Sequence, residues 1–100
     1  MERFDDYLGT LLKNEAEAKS YIDAALEQFF IDHNKELFLV ALKQVIDAHG
    51  GITKVAKQTN INRQHLYRML SSRGNPSFDN ISLLLRAIGL RLKVENSKAA

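Results

Sequence analysis

Ala18, Tyr21, Ile22, Ala25, Leu26, Phe29 and Phe30 recur at steps of three and four, the spacing that lays one apolar stripe along a helix. Asn14 stands ahead of that stripe as a cap, and Glu17 three residues later completes a capping-box arrangement. The segment IDHN interrupts the pattern and offers Asp32 or Asn34 as the next cap. Phe38, Ala41, Leu42, Val45 and Ile46 then continue the same periodicity to Gly50. Three shorter helices are expected at about 52–59, 63–71 and 78–88. Pro76 blocks helix continuation and Ser77 caps the last of them, whose buried face reads Phe78, Ile81, Leu84, Leu85 and Ile88.

Past Gly89 the period changes. In LRLKVE, Leu90, Leu92 and Val94 alternate with Arg91, Lys93 and Glu95, the two-residue repeat of a strand over 90–95. A lone strand cannot satisfy its own backbone groups. It either pairs with another chain or lies as an extended tail on its own domain.

Composition narrows the class. A chain of 100 residues with 45% apolar content has material for one core and not for two. The absence of cysteine excludes a disulfide framework and thiolate metal sites, and fits a reducing compartment. No apolar run approaches the ~20 residues of a membrane helix, and MERFDDYLGTLLKNE is too acidic and polar for a signal peptide. A soluble, cytoplasmic protein is expected.

The net charge of +2 hides a division. Residues 1–50 carry five Lys/Arg and ten Asp/Glu, a net of −5, while residues 51–100 carry nine Lys/Arg with only Asp79 and Glu95, a net of +7. Such asymmetry suits a basic half that faces a polyanion and an acidic half with another role.

The stretch GGITKVAKQTNINRQHLYRML, Gly50 to Leu70, shows how the basic half would do so. Gly50 can end one helix in a left-handed conformation and Gly51 can cap the next. Val55, Ala56, Ile61, Leu66, Met69 and Leu70 supply apolar anchors, Asn60 suits a left-handed turn position, and Asn62 caps the following helix. These are the physical requirements of a helix-turn-helix. On the other face Arg63, Gln64, Tyr67, Arg68 and Ser71 form one polar stripe. Arginine can bridge guanine O6 and N7, and glutamine can pair with adenine N6 and N7, each worth ~1–3 kcal/mol of discrimination. Thr53, Lys54 and Lys57 on the preceding helix would lie beside the sugar-phosphate backbone, where free amides after Gly51 could also bind phosphate. Arg73 and Asn75, in the loop beyond, are further phosphate candidates. A hydrated helical hairpin that never touches DNA has a similar outline; the turn chemistry, the stripe and the basic half-chain together favour DNA.

Other chemistry is poorly supported. His33, His49 and His65 have no partner at helical spacing, so no metal site is expected. No glycine-rich phosphate loop, nucleophile elbow or pocketed carboxylate pair is evident, and neither an enzyme nor a cofactor is expected.

The stretch from LFLVALKQVIDAHGG to LLLRAIGLRLKVE, preceded by FDDYL and EAEAKSYIDAALEQ, resembles the addiction-module antidote proteins over about residues 4–95. These are HigA-like antitoxins with a lambda-repressor-like (XRE-type) helix-turn-helix. GGITKVAKQTNINRQHLYRML and GNPSFDNISLLLRAIGLRL are the most specific pieces. Thr59 stands where leucine is common, Asn60 where glycine is common, and FFIDHNKE is longer than the usual connection. The resemblance implies an antitoxin that neutralises a RelE/HigB-type toxin and represses their shared promoter as a dimer. A toxin that approaches RNA is basic, so the acidic half would complement it, with Glu15, Glu17, Asp23, Glu27 and Glu36 as candidate contacts. The same acids could equally serve only to solubilise two amphipathic helices.

The expectation is an all-α, five-helix domain with a short C-terminal strand, binding palindromic duplex DNA as a dimer. Within 1–100 it divides into an N-terminal helical extension (1–34), a helix-turn-helix core (35–89), a strand (90–95) and a flexible tail (96–100). Leu90, Leu92 and Val94 are candidate dimer contacts. A stand-alone phage-type repressor without a toxin, and a protein-only interaction module, are the alternatives.

Overall fold

Six helices follow one another in the computed structural model, which describes residues 2–97 and side-chain surroundings from Asp6 onward. They are α1 (Glu2–Leu12), α2 (Glu15–Asp32), α3 (Lys35–Ala48), α4 (Gly51–Thr59), α5 (Arg63–Met69) and α6 (Phe78–Ala87). The count exceeds the expected five because residues 2–12 are helical too. Phe4, Tyr7, Leu8, Leu11 and Leu12 recur there at steps of three and four, an apolar helical stripe ahead of the one that starts at Ala18. Leu8 and Leu12 are buried, so α1 meets the core through this stripe. Its end is tied down where the His49 Nε2–H donates to the Leu12 carbonyl at 2.8 Å, giving an orphan helix-end acceptor a partner.

Local capping sets the next two helices. Asn14 Oδ1 accepts from the Glu17 amide at 3.1 Å and starts α2, and Asn34 Oδ1 accepts from the Glu36 amide at 3.0 Å and starts α3. Between them His33 takes a left-handed φ of 57° and donates its amide to the Phe29 carbonyl at 2.7 Å. Hydrogen bonds from the Gln28 side chain and then the Asn34 amide hold the Asp32 carboxyl below the usual carboxylate range. The Tyr21 hydroxyl donates to the Gln44 side-chain oxygen and links α2 to α3; burial pushes the Tyr21 hydroxyl up in pKa. Ala18, Ile22 and Ala25 are buried as the stripe requires, whereas Phe30 is 72% exposed. Phe30 lies off the Ala18–Ile22–Ala25 line that meets the core, about 80° around the helix from Ile22.

α3 packs against α1, α2 and α4, and it therefore buries more than one stripe: Leu39 joins Phe38, Ala41, Leu42, Val45 and Ile46. α4 packs against α3, α5 and α6 in turn. One cluster of buried side chains draws on all six helices, including Ile52 and Val55 of α4, Leu66 and Met69 of α5, and Leu84 and Leu85 of α6. The α3–α4 joint is sharper by one residue than the sequence suggests. His49 closes α3 and Gly50, not Gly51, occupies the cap position of α4 with a φ of 111° that favours glycine. Asn60, at φ 59°, ends α4 in the left-handed region as expected. Thr59 serves the turn: its hydroxyl donates to the Val55 carbonyl at 2.7 Å and accepts from the Ile61 amide at 3.3 Å.

The loop from α5 to α6 folds back on the end of α5. The Gly74 amide donates to the Ser71 carbonyl at 2.8 Å, and Gly74 is buried. A β-carbon there would fall onto the Met69 carbonyl group, 2.6 Å from its carbon and 2.8 Å from the Arg68 oxygen. Ser77 then caps α6 through its hydroxyl, which accepts from the Asn80 amide at 3.1 Å. Phe78, expected in the core, is 74% exposed, while Leu84, Leu85 and Ile88 are buried and Ile81 is half-buried. Phe78 opens α6 on the rim of a groove shared with Leu83, Leu90 and Leu92, away from the side that meets the core.

No strand occurs among the described residues. Leu90 is half-buried and donates its amide to the Leu85 carbonyl at 2.8 Å, closing α6. Leu92 and Val94 are exposed, and residues 90–95 form a ladder with no other described segment of the chain. Of the expected tail, residues 96 and 97 have no regular structure and the last three lie outside the described residues.

Two stability outcomes follow from this packing. Leu12→Ala should cost roughly 2–5 kcal/mol in urea unfolding; a change below ~0.5 kcal/mol would show α1 to be an appendage. Gly74→Ala should cost roughly 1–3 kcal/mol through overpacking, whereas alanine at exposed Ser72 should leave the urea midpoint in place.

Candidate nucleic-acid interface

α4 and α5 are joined by Asn60, Ile61 and Asn62 alone, and the two helices pack on each other. Val55 and Leu66, both sealed from solvent, fix how each helix is rotated about its own axis. That rotation leaves Arg63, Gln64, Tyr67, Arg68 and Ser71 exposed on α5 and its end, and Thr53, Lys54 and Lys57 exposed on α4. Tyr67 shows about half of its surface to solvent. Arg73 and Asn75 are exposed on the folded-back loop. All the residues chosen from the sequence for this face therefore reach solvent on three consecutive segments.

Some of their polar atoms are already engaged. Asn62 Oδ1 accepts from the Gln64 and His65 amides at 2.8 and 3.3 Å, so its carbonyl oxygen caps the helix and only its NH₂ remains to donate. The Ser71 hydroxyl donates to the Arg68 carbonyl at 2.7 Å, which leaves that oxygen as an acceptor and weakens Ser71 as a phosphate donor. Asn75 Oδ1 accepts from Lys35 Nζ at 2.7 Å. Sequence reasoning left Lys35 aside, because it sits in the acidic half and meets Asn75 only across 40 positions of chain. By contrast, Gly50 gives α4 no side-chain cap, so the first amides of that helix keep their donors. Lys54 runs its methylenes over Gly50.

Among the described residues the ion pair is Lys43–Asp47 at 3.0 Å, on α3, and it engages none of these side chains. The arginines and lysines of α4, α5 and the loop thus present uncompensated charge. Two guanidinium groups, one amide and one phenol on a helix fit the donor and acceptor edges of a major groove. The flanking ammonium groups fit phosphate.

The acidic candidates are exposed as well: Glu15, Glu17, Asp23 and Glu27 on α2, and Glu36 on α3. Glu15, Glu17 and Glu36 occupy first helical turns, where a carboxylate also offsets the positive end of the helix. At the far end of the chain Phe78, Leu83, Leu90 and Leu92, with Arg86 and Arg91, line an open groove between α6 and the segment after it. His33 packs edge-on against Phe29 at 5.6 Å and His49 holds Leu12. Among the described residues no three His, Asp or Glu side chains form a group able to hold a metal. No helix there is long and apolar enough to cross a membrane.

A family model described as "Probable addiction module antidote protein" matches residues 2–96. A protein of Haemophilus influenzae, named only as uncharacterized, is 32% identical over 89 residues, covering 89% of this chain and 87% of its own. No solved structure matches. With nearly its whole length inside the family model, the chain belongs to the family of probable addiction module antidote proteins.

Proposed function

We propose that the chain is the antitoxin of a type II toxin–antitoxin module, which binds its own promoter as a dimer and neutralises a RelE/HigB-type toxin in the cytoplasm. In this reading α4, α5 and the turn between them are an XRE-type helix-turn-helix, and α5 enters the major groove of a palindromic operator. The observation that carries it is the exposed polar face Arg63–Ser71, held on a helix whose opposite side is sealed in the core. Arg63, Gln64 and Arg68 read base edges, with Asn62 and Tyr67 alongside. Thr53, Lys54, Lys57 and Arg73 hold phosphates, together with the uncapped first amides of α4. Two-fold symmetry sets the paired recognition helices ~34 Å apart. The groove beside Leu90 and Leu92, continued by exposed Val94, is where a second copy would pair. α1 and α2 extend the helix-turn-helix core and present the acids Glu15, Glu17, Asp23 and Glu27, joined by Glu36, to a basic toxin.

A stand-alone repressor would have the same α5 face. The neighbouring reading frame separates the two, since a small basic protein encoded beside this one favours the antitoxin.

Titration of a promoter duplex tests the DNA role. Arg63→Ala and Arg68→Ala should each lose roughly 1–3 kcal/mol on the preferred sequence and far less on scrambled duplex. Lys54→Ala and Lys57→Ala should weaken both duplexes alike and each reduce the salt slope by about one. An Arg63→Ala/Arg68→Ala double variant with undiminished preference would remove these residues from the reading role. For the toxin role, deleting α2 would strip Ala18, Ile22 and Ala25 from the core, so charge removal is the cleaner probe. Replacing Glu15, Glu17, Asp23, Glu27 and Glu36 by their amides should abolish co-purification with the neighbouring gene product while leaving duplex binding intact. Full retention of the toxin would exclude the acidic surface.

A further inference from the structure

Lys35 is the first residue of α3 and belongs to the acidic half of the chain, yet its ammonium lies 2.7 Å from Asn75 Oδ1 on the α5–α6 loop. That loop is not free to wander. Gly74 is buried against the Met69 and Arg68 carbonyls, its amide is bonded to Ser71, and the Asn80 side chain donates to Met69 Sδ at 3.2 Å. Asn75 is therefore held close to the end of α5, and the bond from Asn75 brings the Lys35 charge to the same place.

The bond itself is a poor stabiliser. Fixing a lysine side chain costs rotamer freedom that one exposed hydrogen bond does not recover. What it achieves is location. An ammonium has three donors; Asn75 takes one, and the other two face solvent. Among the described residues no carboxylate lies within 4.0 Å of Lys35, so its charge is not neutralised. With the Asn75 oxygen occupied, its NH₂ group keeps its donors, and exposed Arg73 stands two positions earlier on the same loop.

Resting on the DNA-binding reading above, we propose that Lys35 and Asn75 together form a phosphate seat on the duplex backbone, so that the DNA surface extends past the basic half of the chain onto α3. The phosphodiester bound there receives a charge-assisted hydrogen bond from Lys35 Nζ and a neutral one from Asn75 Nδ2. The contact carries no base information. It sets how far α5 can slide or roll in the groove, because it lies on a different helix from the reading side chains.

The test is the salt dependence of duplex binding by wild type, Lys35→Gln, Lys35→Arg and Lys19→Gln. Exposed Lys19 on α2 removes the same formal charge elsewhere. Lys35→Gln should weaken preferred and scrambled duplexes by the same factor, about three- to tenfold at physiological salt, with the log–log salt slope less steep by about one. Lys35→Arg should stay near wild type, and Lys19→Gln should keep the wild-type slope. Matching slopes for Lys35→Gln and Lys19→Gln would overturn the proposal while leaving the DNA-binding reading standing. So would a loss of affinity with the slope unaltered, which would mean that Lys35 only props the loop. Wild-type protein without salt-sensitive duplex binding would instead sink the DNA-binding reading, and this seat with it.

Discussion

The orientation of α4 is the constraint on which the rest depends. α4 is the helix that packs on α3, α5 and α6 alike, and it does so through two fully anchored side chains, Ile52 and Val55. Nine residues give it little else to hold by. Once those two face inward, Thr53, Lys54 and Lys57 must face out. The left-handed turn at Asn60 then delivers α5 with Leu66 and Met69 beneath it and its arginines above. Buried Leu→Ala changes cost about 2–5 kcal/mol against a total stability of about 5–15 kcal/mol, so a loosened α4 would disturb both the core and the polar face.

The charge division of the sequence maps onto this architecture. The acidic half builds α1, α2 and α3, and the basic half builds α4, α5 and α6. The two halves meet where α3 packs on α4, across the His49–Gly50 joint. Because one core serves both, a surface for a basic protein and a surface for a polyanion can coexist on a small chain without either field cancelling the other at contact range. Lys35 is the place where the division is crossed, a cation from the acidic half delivered to the rim of the basic one.

Much of this was legible in the sequence wherever the determining interaction is local. Asn14, Asn34, Asn62 and Ser77 cap helices because each side chain reaches an amide two or three residues ahead, a relation that spacing alone reveals. Asn60 was readable for a similar reason, as a residue tolerant of positive φ. The polar positions of α5 were identifiable as a stripe because Leu66, Met69 and Leu70 occupy the opposite side. What escaped depends on tertiary placement. α1 was itself within reach of a local reading, since Phe4, Tyr7, Leu8, Leu11 and Leu12 keep helical spacing; the burial of Leu8 and Leu12 is what the fold adds. Phe30 and Phe78 look like core residues and are not, since one lies off the packed line of α2 and the other opens onto the groove beside α6. The alternation at 90–95 suggests a strand, but a ladder needs a neighbour, and the described chain supplies none. Lys35 and Asn75 are joined only by the fold.

The most direct measurement is an amide chemical-shift map of the folded chain on titration with duplex carrying its own promoter. The account predicts perturbations concentrated at residues 53–57, 62–71 and 73–75 and at Lys35, with α1 and α2 little changed. Perturbations confined to α1 and α2, or none at α5, would contradict it.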